Sequence, residues 1–254
     1  MNQVLLLARR SVVRTLRQPA MVVPSLVFPL LLLSINSSGL ETTTRLPGFP
    51  TDSYFQFALA IPFVQGALFS ANSAGTNVAS DIESGFLNRL SLTPLRRISL
   101  MLGQLTGILA LGLIQALTFL VVGLVFGDGI EAGPGGVVVL LLLSLTISLA
   151  FGAIGAWVAL RSGNGEAVQG VFPLFFAALF ISSMALPRNL IETDWFRTVA
   201  TWNPVSYMLE GIRSLVIEGW DGEALALGFG CAGGVALIAL VAAASALRTR
   251  MVRT

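Results

Sequence analysis

Six stretches of this chain carry no charged side chain: residues 20–36, 54–79, 98–126, 137–160, 167–187 and 224–247. Each is near the length of about 20 residues that an α-helix needs to cross a hydrocarbon layer of about 30 Å. Lipid offers backbone amides no hydrogen-bond partner, so such stretches must satisfy their own backbone as helices. Composition agrees, with 55% hydrophobic and 11% charged residues and a mean hydropathy of +0.83. A soluble domain carries about a quarter charged residues. The expected fold is all-α: one polytopic membrane domain over residues 1–254, with six transmembrane helices.

Absent residues exclude whole chemistries. All 15 basic residues are Arg, and without Lys no phosphate-binding loop ending in Gly-Lys-Ser/Thr can form. There is no His, which removes zinc-protease sites, Ser-His-Asp triads and His proton relays. The single cysteine, Cys231, lies in an apolar run and reads as a buried, inert thiol. A net charge of +2, with basic residues at the edges of the apolar runs, argues against nucleic-acid binding. No catalytic or metal-binding set emerges. An intramembrane enzyme would have to rest on carboxylates such as Glu192, Asp194 and Glu210, which read better as solvated groups pairing with Arg197 and Arg213.

The polar segments between the spans have patterns of their own. Residues 2–17 read as a helix on the membrane surface, with Arg10, Arg14 and Arg17 on one stripe and Leu5, Ala8, Val12 and Leu16 opposite. The second span carries Gln65, Phe69, Asn72 and Thr76 on one face, and polar groups in a span face other helices or a wet path. The third holds Gly103 and Gly107 at the spacing that lets a second helix approach closely. In the fifth, Phe176 shares a stripe with Gln169 and Pro173; Val171-Phe172-Pro173-Leu174 matches Val27-Phe28-Pro29-Leu30 of the first, but four common residues produce such a match by chance and no internal repeat is read from it.

Residues 80–97 form a polar island between spans two and three. Ser80 and Glu83 stand at capping-box spacing and predict a helix start, with Asp81 and Glu83 favourable at its positive end. Ile82, Phe86, Leu87 and Leu90 give it an apolar face, and Thr93-Pro94 marks a second start. Residues 188–223 are amphipathic. Trp195, Phe196, Val199 and Trp202 suggest an interfacial helix. Asn203-Pro204 opens another, apolar along Val205, Met208, Leu209, Ile212, Leu215 and Val216, with Glu210 and Arg213 spaced to pair; it should dip into the outer membrane face.

Six spans with both termini inside place Arg9, Arg10, Arg14, Arg17, Arg89, Arg96, Arg97, Arg161, Arg248, Arg250 and Arg253 in the cytoplasm. Only Arg45, Arg188, Arg197 and Arg213 fall outside, as the positive-inside rule requires. The polar island is then cytoplasmic.

Three features together resemble the type-2 ABC transporter permeases, the membrane subunits of bacterial exporters for drugs, antibiotics and lipids. They are the basic N-terminal segment before a Pro-containing span, the run Glu83-Ser84-Gly85 to Leu90-Ser91-Leu92-Thr93-Pro94-Leu95-Arg96-Arg97, and Trp202-Asn203-Pro204-Val205-Ser206-Tyr207 followed by Glu210-Gly211-Ile212-Arg213. The resemblance implies a permease in the bacterial cytoplasmic membrane, paired with a second permease, identical or paralogous, and resting on two copies of an ATPase subunit. ATP and Mg would be bound by that subunit, with no cofactor in this chain. ATPase coupling would fall to Asp81, Glu83, Gly85, Phe86, Leu87, Leu90, Pro94 and Arg96, beside the interfacial helix. The path of a hydrophobic or amphipathic substrate would involve Gln65, Phe69, Asn72, Thr76, Phe172 and Phe176. The outer-face motif would be Asn203, Pro204, Tyr207, Glu210 and Arg213. A secondary transporter is the rival class, although none of the six spans offers a carboxylate, Arg, Lys or His to couple an ion gradient.

Overall fold

The computed structural model describes residues 2–86, 89 and 97–252, and among them every regular element is helical. We number the α-helices α1 (Asn2–Leu16), α2 (Pro19–Leu40), α3 (Tyr54–Ala58), α4 (Ala60–Glu83), α5 (Arg97–Phe126), α6 (Gly133–Ser162), α7 (Gly165–Phe180), α8 (Asp194–Trp202), α9 (Pro204–Arg213) and α10 (Gly222–Val252). Leu87, Leu90, Pro94 and Arg96 of the expected coupling region lie outside the described residues, as do the Thr93-Pro94 helix start and Arg253.

Five segments are long and apolar enough to span a membrane: Pro19–Arg45, Tyr54–Glu83, Gly103–Phe126, Gly133–Ser162 and Gly222–Arg250. The protein is therefore a multi-pass membrane protein. The expected fifth span, residues 167–187, is cut short, because α7 stops at Phe180 and residues 181–187 turn. Sixteen helical residues reach about 24 Å at about 1.5 Å per residue, short of a full hydrocarbon layer.

The centre of the bundle is α4, buried along most of its length and packed along α6, with α5 and α7 beside it. Glycine sets the α4–α6 spacing. A Cβ on Gly155 would collide with the backbone carbonyl of Ala71, and one on Gly75 would sit 2.8 Å from the carbonyl of Gly155. By contrast α2 and α10 keep wide apolar surfaces exposed, as helices facing lipid do.

Two local expectations fail. Helix α4 runs without interruption through Ser80 to Glu83, so Ser80 does not cap a helix start. Instead the helix ends there: Ser84 and Gly85 donate back to the carbonyls of Ser80 and Ile82, and Gly85 takes φ +67°. Glycine at that place is the usual left-handed stop. Asp81 and Glu83 thus occupy the negative end of a helix rather than the positive one. Helix α1 also turns differently from its expected stripe. Leu5, Leu6, Val13 and Leu16 are exposed, while Leu7, Ser11 and Thr15 pack on α5. The Gly103/Gly107 spacing serves this contact: a Cβ on Gly103 would lie 2.7 Å from that of Leu7, and one on Gly107 would strike the Ser11 hydroxyl.

Candidate functional site

At the end of α4 that carries the polar island, the Asp81 carboxylate is buried and holds two guanidinium groups. Arg10 donates to both of its oxygens at 3.3 and 2.8 Å, and Arg14 donates to Oδ1 at 2.7 Å. These cations offset the cost of a carboxylate at a helix C-terminus. Arg10 also lies 3.9 Å above the Phe86 ring, so α1, α4 and the start of the polar island are clasped together. Glu83 accepts from the Gly165 amide at 3.1 Å, and Arg250 donates to the Leu160 carbonyl at 2.7 Å. Both tie the α6–α7 turn to its neighbours. Thus Asp81, Phe86, Arg10 and Arg14 form one cluster, whereas Arg17 is exposed at the end of α1. The clasp was not foreseen, since nothing in the spacing shows that α1 folds back onto α4.

In the middle of the bundle, three expected path residues meet. Phe69 on α4 lies 5.4 Å from Phe172 and 6.1 Å from Phe176 on α7, and the latter two are 5.2 Å apart. Phe28 of α2 joins at 6.0 Å from Phe69 and 5.9 Å from Phe176. Phe28 and Phe172, the aromatic residues of the two Val-Phe-Pro-Leu runs, therefore both meet Phe69. Edge-to-face and tilted rings at these spacings attract beyond their burial. Gln65 and Asn72 are one turn to either side of Phe69. Both amide atoms of Gln65 and Oδ1 of Asn72 are buried with no partner among the described residues. Buried amides normally find partners, so these atoms, like Gln18 Oε1 and Gln115 Nε2 elsewhere in the bundle, have capacity left for a guest or water. Thr76 is different, because its hydroxyl donates to the Asn72 carbonyl of its own helix at 2.8 Å.

At the opposite end, α9 holds the turn that follows α7. Asn203 caps its own helix, accepting from the Val205 amide at 3.0 Å, and its Nδ2 donates to the Ala178 carbonyl at 2.6 Å. Pro204 takes the first helical position, where the missing amide hydrogen costs nothing. Ser206 Oγ accepts from the Ser183 amide at 3.0 Å. Arg213, only 6% exposed, donates to the carbonyls of Phe57, Ser183 and Met184 at 3.1, 2.6 and 2.7 Å and stacks 3.6 Å over the Phe57 ring. Burial pushes its guanidinium down to about 9, with Glu210 and Tyr54 opposing the shift, so it stays charged at neutral pH.

The expected Glu210–Arg213 pair does not form. Glu210 instead pairs with Arg188 at 2.6 Å and accepts from the Ser183 hydroxyl at 3.2 Å, while Arg188 lies 4.4 Å over Tyr207. The reason is geometric: Arg213 points at the Phe57 carbonyl of α3 and at the Ser183 and Met184 carbonyls left free beyond the early stop of α7, which no i,i+3 rule can anticipate. Arg197 does pair with Asp194. Irregular backbone next to lipid is tolerated only where protein satisfies it, and α9 supplies those partners. Asn203→Ala should therefore cost about 1–2 kcal/mol through cap and carbonyl together, read as a lower unfolding midpoint in detergent. An unchanged midpoint would contradict this role.

The described residues thus contain three polar or aromatic clusters joined by α4, α7 and α9, and they show no group of His, Cys, Asp and Glu able to hold a metal. Comparison with known proteins names the architecture. The ABC-2 type transporter family model matches residues 2–217. A protein of Porphyra purpurea named as the transport permease ycf38 is 28% identical over 210 residues, covering 82% of this chain and 71% of its own. The daunorubicin resistance ABC transporter permease protein DrrB1 of Streptomyces coeruleorubidus is 26% identical, covering 65% of this chain and 59% of its own. A Mycobacterium tuberculosis protein named as the doxorubicin resistance ABC transporter permease protein DrrC is 24% identical, covering 85% and 78%. With most of its length matched, this chain belongs to the ABC-2 type transporter family and is a membrane permease of that kind.

Proposed function

We propose that this chain is the membrane half of an ATP-driven exporter for a hydrophobic or amphipathic substrate. The observation that carries the reading is the Phe28, Phe69, Phe172 and Phe176 cluster, drawn from three helices and flanked by the unpartnered amide of Gln65 and Oδ1 of Asn72. Flat apolar surface with a few uncommitted hydrogen-bonding groups suits a largely uncharged guest. The drug-resistance names of two relatives point the same way.

In this reading α7 and the turn held by α9 make up the fifth of six crossings, and both termini lie in the cytoplasm of a bacterial cell. Two permease chains face each other, each resting on a separate ATPase subunit that binds ATP and Mg. The polar island beyond Glu83 docks on that subunit, and the Arg10–Asp81–Arg14 clasp carries its movement into α4. Closure of the ATPase pair would switch the facing bundles between inward-open and outward-open packing. ATP hydrolysis resets them, and no covalent chemistry takes place in this chain.

Phe69→Ala removes the ring on which the other three converge. Substrate-stimulated ATP turnover of the reconstituted complex should fall about tenfold, with basal turnover kept within about twofold. Unchanged stimulation would refute the path assignment.

A further inference from the structure

Two guanidinium groups share one carboxylate in the clasp, so one positive charge is left over in a partly enclosed crevice. Arg10 uses both terminal nitrogens on Asp81, but Arg14 reaches it through Nη1 alone and is 23% exposed. Beside Arg14 lies a small cavity of about 50 Å³ between α1, α4 and α5, with Ser11, Thr15, Ser73, Asn77 and Gln104 as the polar part of a lining that is otherwise largely apolar. Hydroxyl and amide donors around a forked cation make an environment suited to phosphate oxygens. The outward face of α1 sets the depth. Leu5 and Leu6 are 71% and 64% exposed, with Val13 and Leu16 alongside and Arg9 and Arg17 on the same side. Such a face lies at the boundary of headgroups and acyl chains, which brings the crevice level with the headgroup phosphates.

We propose that this crevice binds the headgroup phosphate of an anionic phospholipid, held by Arg14 and Arg10 in competition with Asp81. The clasp is then a charge switch. A lipid phosphate with no tethered ammonium draws the arginines away from Asp81 and loosens α1 from the end of α4, while a zwitterionic membrane, whose own ammonium offsets the same phosphate, leaves it shut. The inference rests on the reading of α1 as a membrane-surface helix, but not on transport or on an ATPase partner.

The test measures the binding of phosphatidylglycerol to the purified full chain in mixed micelles, with phosphatidylcholine and inorganic phosphate as the other probes. Phosphatidylglycerol should bind, phosphatidylcholine should not compete, and millimolar inorganic phosphate should fail to displace the lipid. Arg14→Gln should weaken phosphatidylglycerol binding about tenfold, the effect of losing one charge-assisted hydrogen bond. Asp81→Asn should tighten it several-fold, because the competing carboxylate is gone. These opposite signs keep the test decisive if one variant fails to fold. Arg9→Gln with Arg17→Gln should change binding less than about twofold if recognition is local. Asp81→Asn leaving affinity unchanged or lower would overturn the proposal. So would a loss in the Arg9/Arg17 variant equal to that of Arg14→Gln, or displacement by inorganic phosphate alone. Leu5→Gln with Leu6→Gln should weaken binding in the wild-type background. No change there, with the Arg14 and Asp81 effects intact, would reject the surface placement of α1 and keep the crevice. No ATPase is present, so none of these results depends on transport.

Discussion

Gly155→Val should leave no stably folded protein. A Cβ at position 155 collides with the Ala71 carbonyl, and its next neighbours are the carbonyl carbon and Cα of the same residue. These are backbone atoms of the most buried helix in the bundle and cannot rotate away as a side-chain tip would. Overpacking a core ordinarily costs about 1–3 kcal/mol, and a backbone collision on the α4–α6 axis should exceed the top of that range. Valine adds two more methyl groups to the same space. The check is the yield of monodisperse protein in mild detergent and its thermal midpoint, against Gly230→Ala, where a Cβ meets nothing within 4 Å. If Gly155→Val were as stable as that control, α4 and α6 would not cross as described.

The second large effect belongs to Arg213. Arg213→Met keeps much of the apolar stem but withdraws three donors from buried carbonyls of Phe57, Ser183 and Met184. Each abandoned carbonyl costs about 1–3 kcal/mol, and losing the centre of a buried charged network typically costs about 3–5 kcal/mol. Arg213→Lys should recover little, since an ammonium cannot fork across carbonyls from two chain segments. The loss should be local first, so residues 181–187 should become sensitive to protease in detergent before the bundle unfolds. Arg197→Met, which breaks a solvent-exposed pair with Asp194, should cost less than about 1 kcal/mol. Equal effects of the two substitutions would show that Arg213 does not hold the turn.

These two sites illustrate what could be read in advance. Residues 203–213 were legible as a motif and as an apolar helix face, and Val205, Met208, Leu209 and Ile212 are indeed buried. The partners of Glu210 and Arg213 were not legible, because they are a backbone carbonyl of α3 and, in the segment after α7, two more carbonyls, a serine and an arginine. The aromatic cluster was half visible. Helical periodicity put Phe69 on the polar face of its span and Phe176 on a stripe of α7, but only packing brought Phe28 to them. The Ser80–Glu83 pattern misled for a definable reason: a capping box fits any Ser and Glu three residues apart, and here both lie inside the last turns of a longer helix.

Charge-free runs of sufficient length by themselves determined that this chain is helical and embedded in lipid, because an unpaired backbone amide has no alternative there. The missing Lys and His likewise removed nucleotide-loop and triad chemistry without reference to shape. Where α7 stops, which face α1 turns inward and which cations share Asp81 were decided only by the tertiary structure. Those outcomes depend on glycine gaps and on backbone groups of remote segments, and neither leaves a periodic trace along the chain.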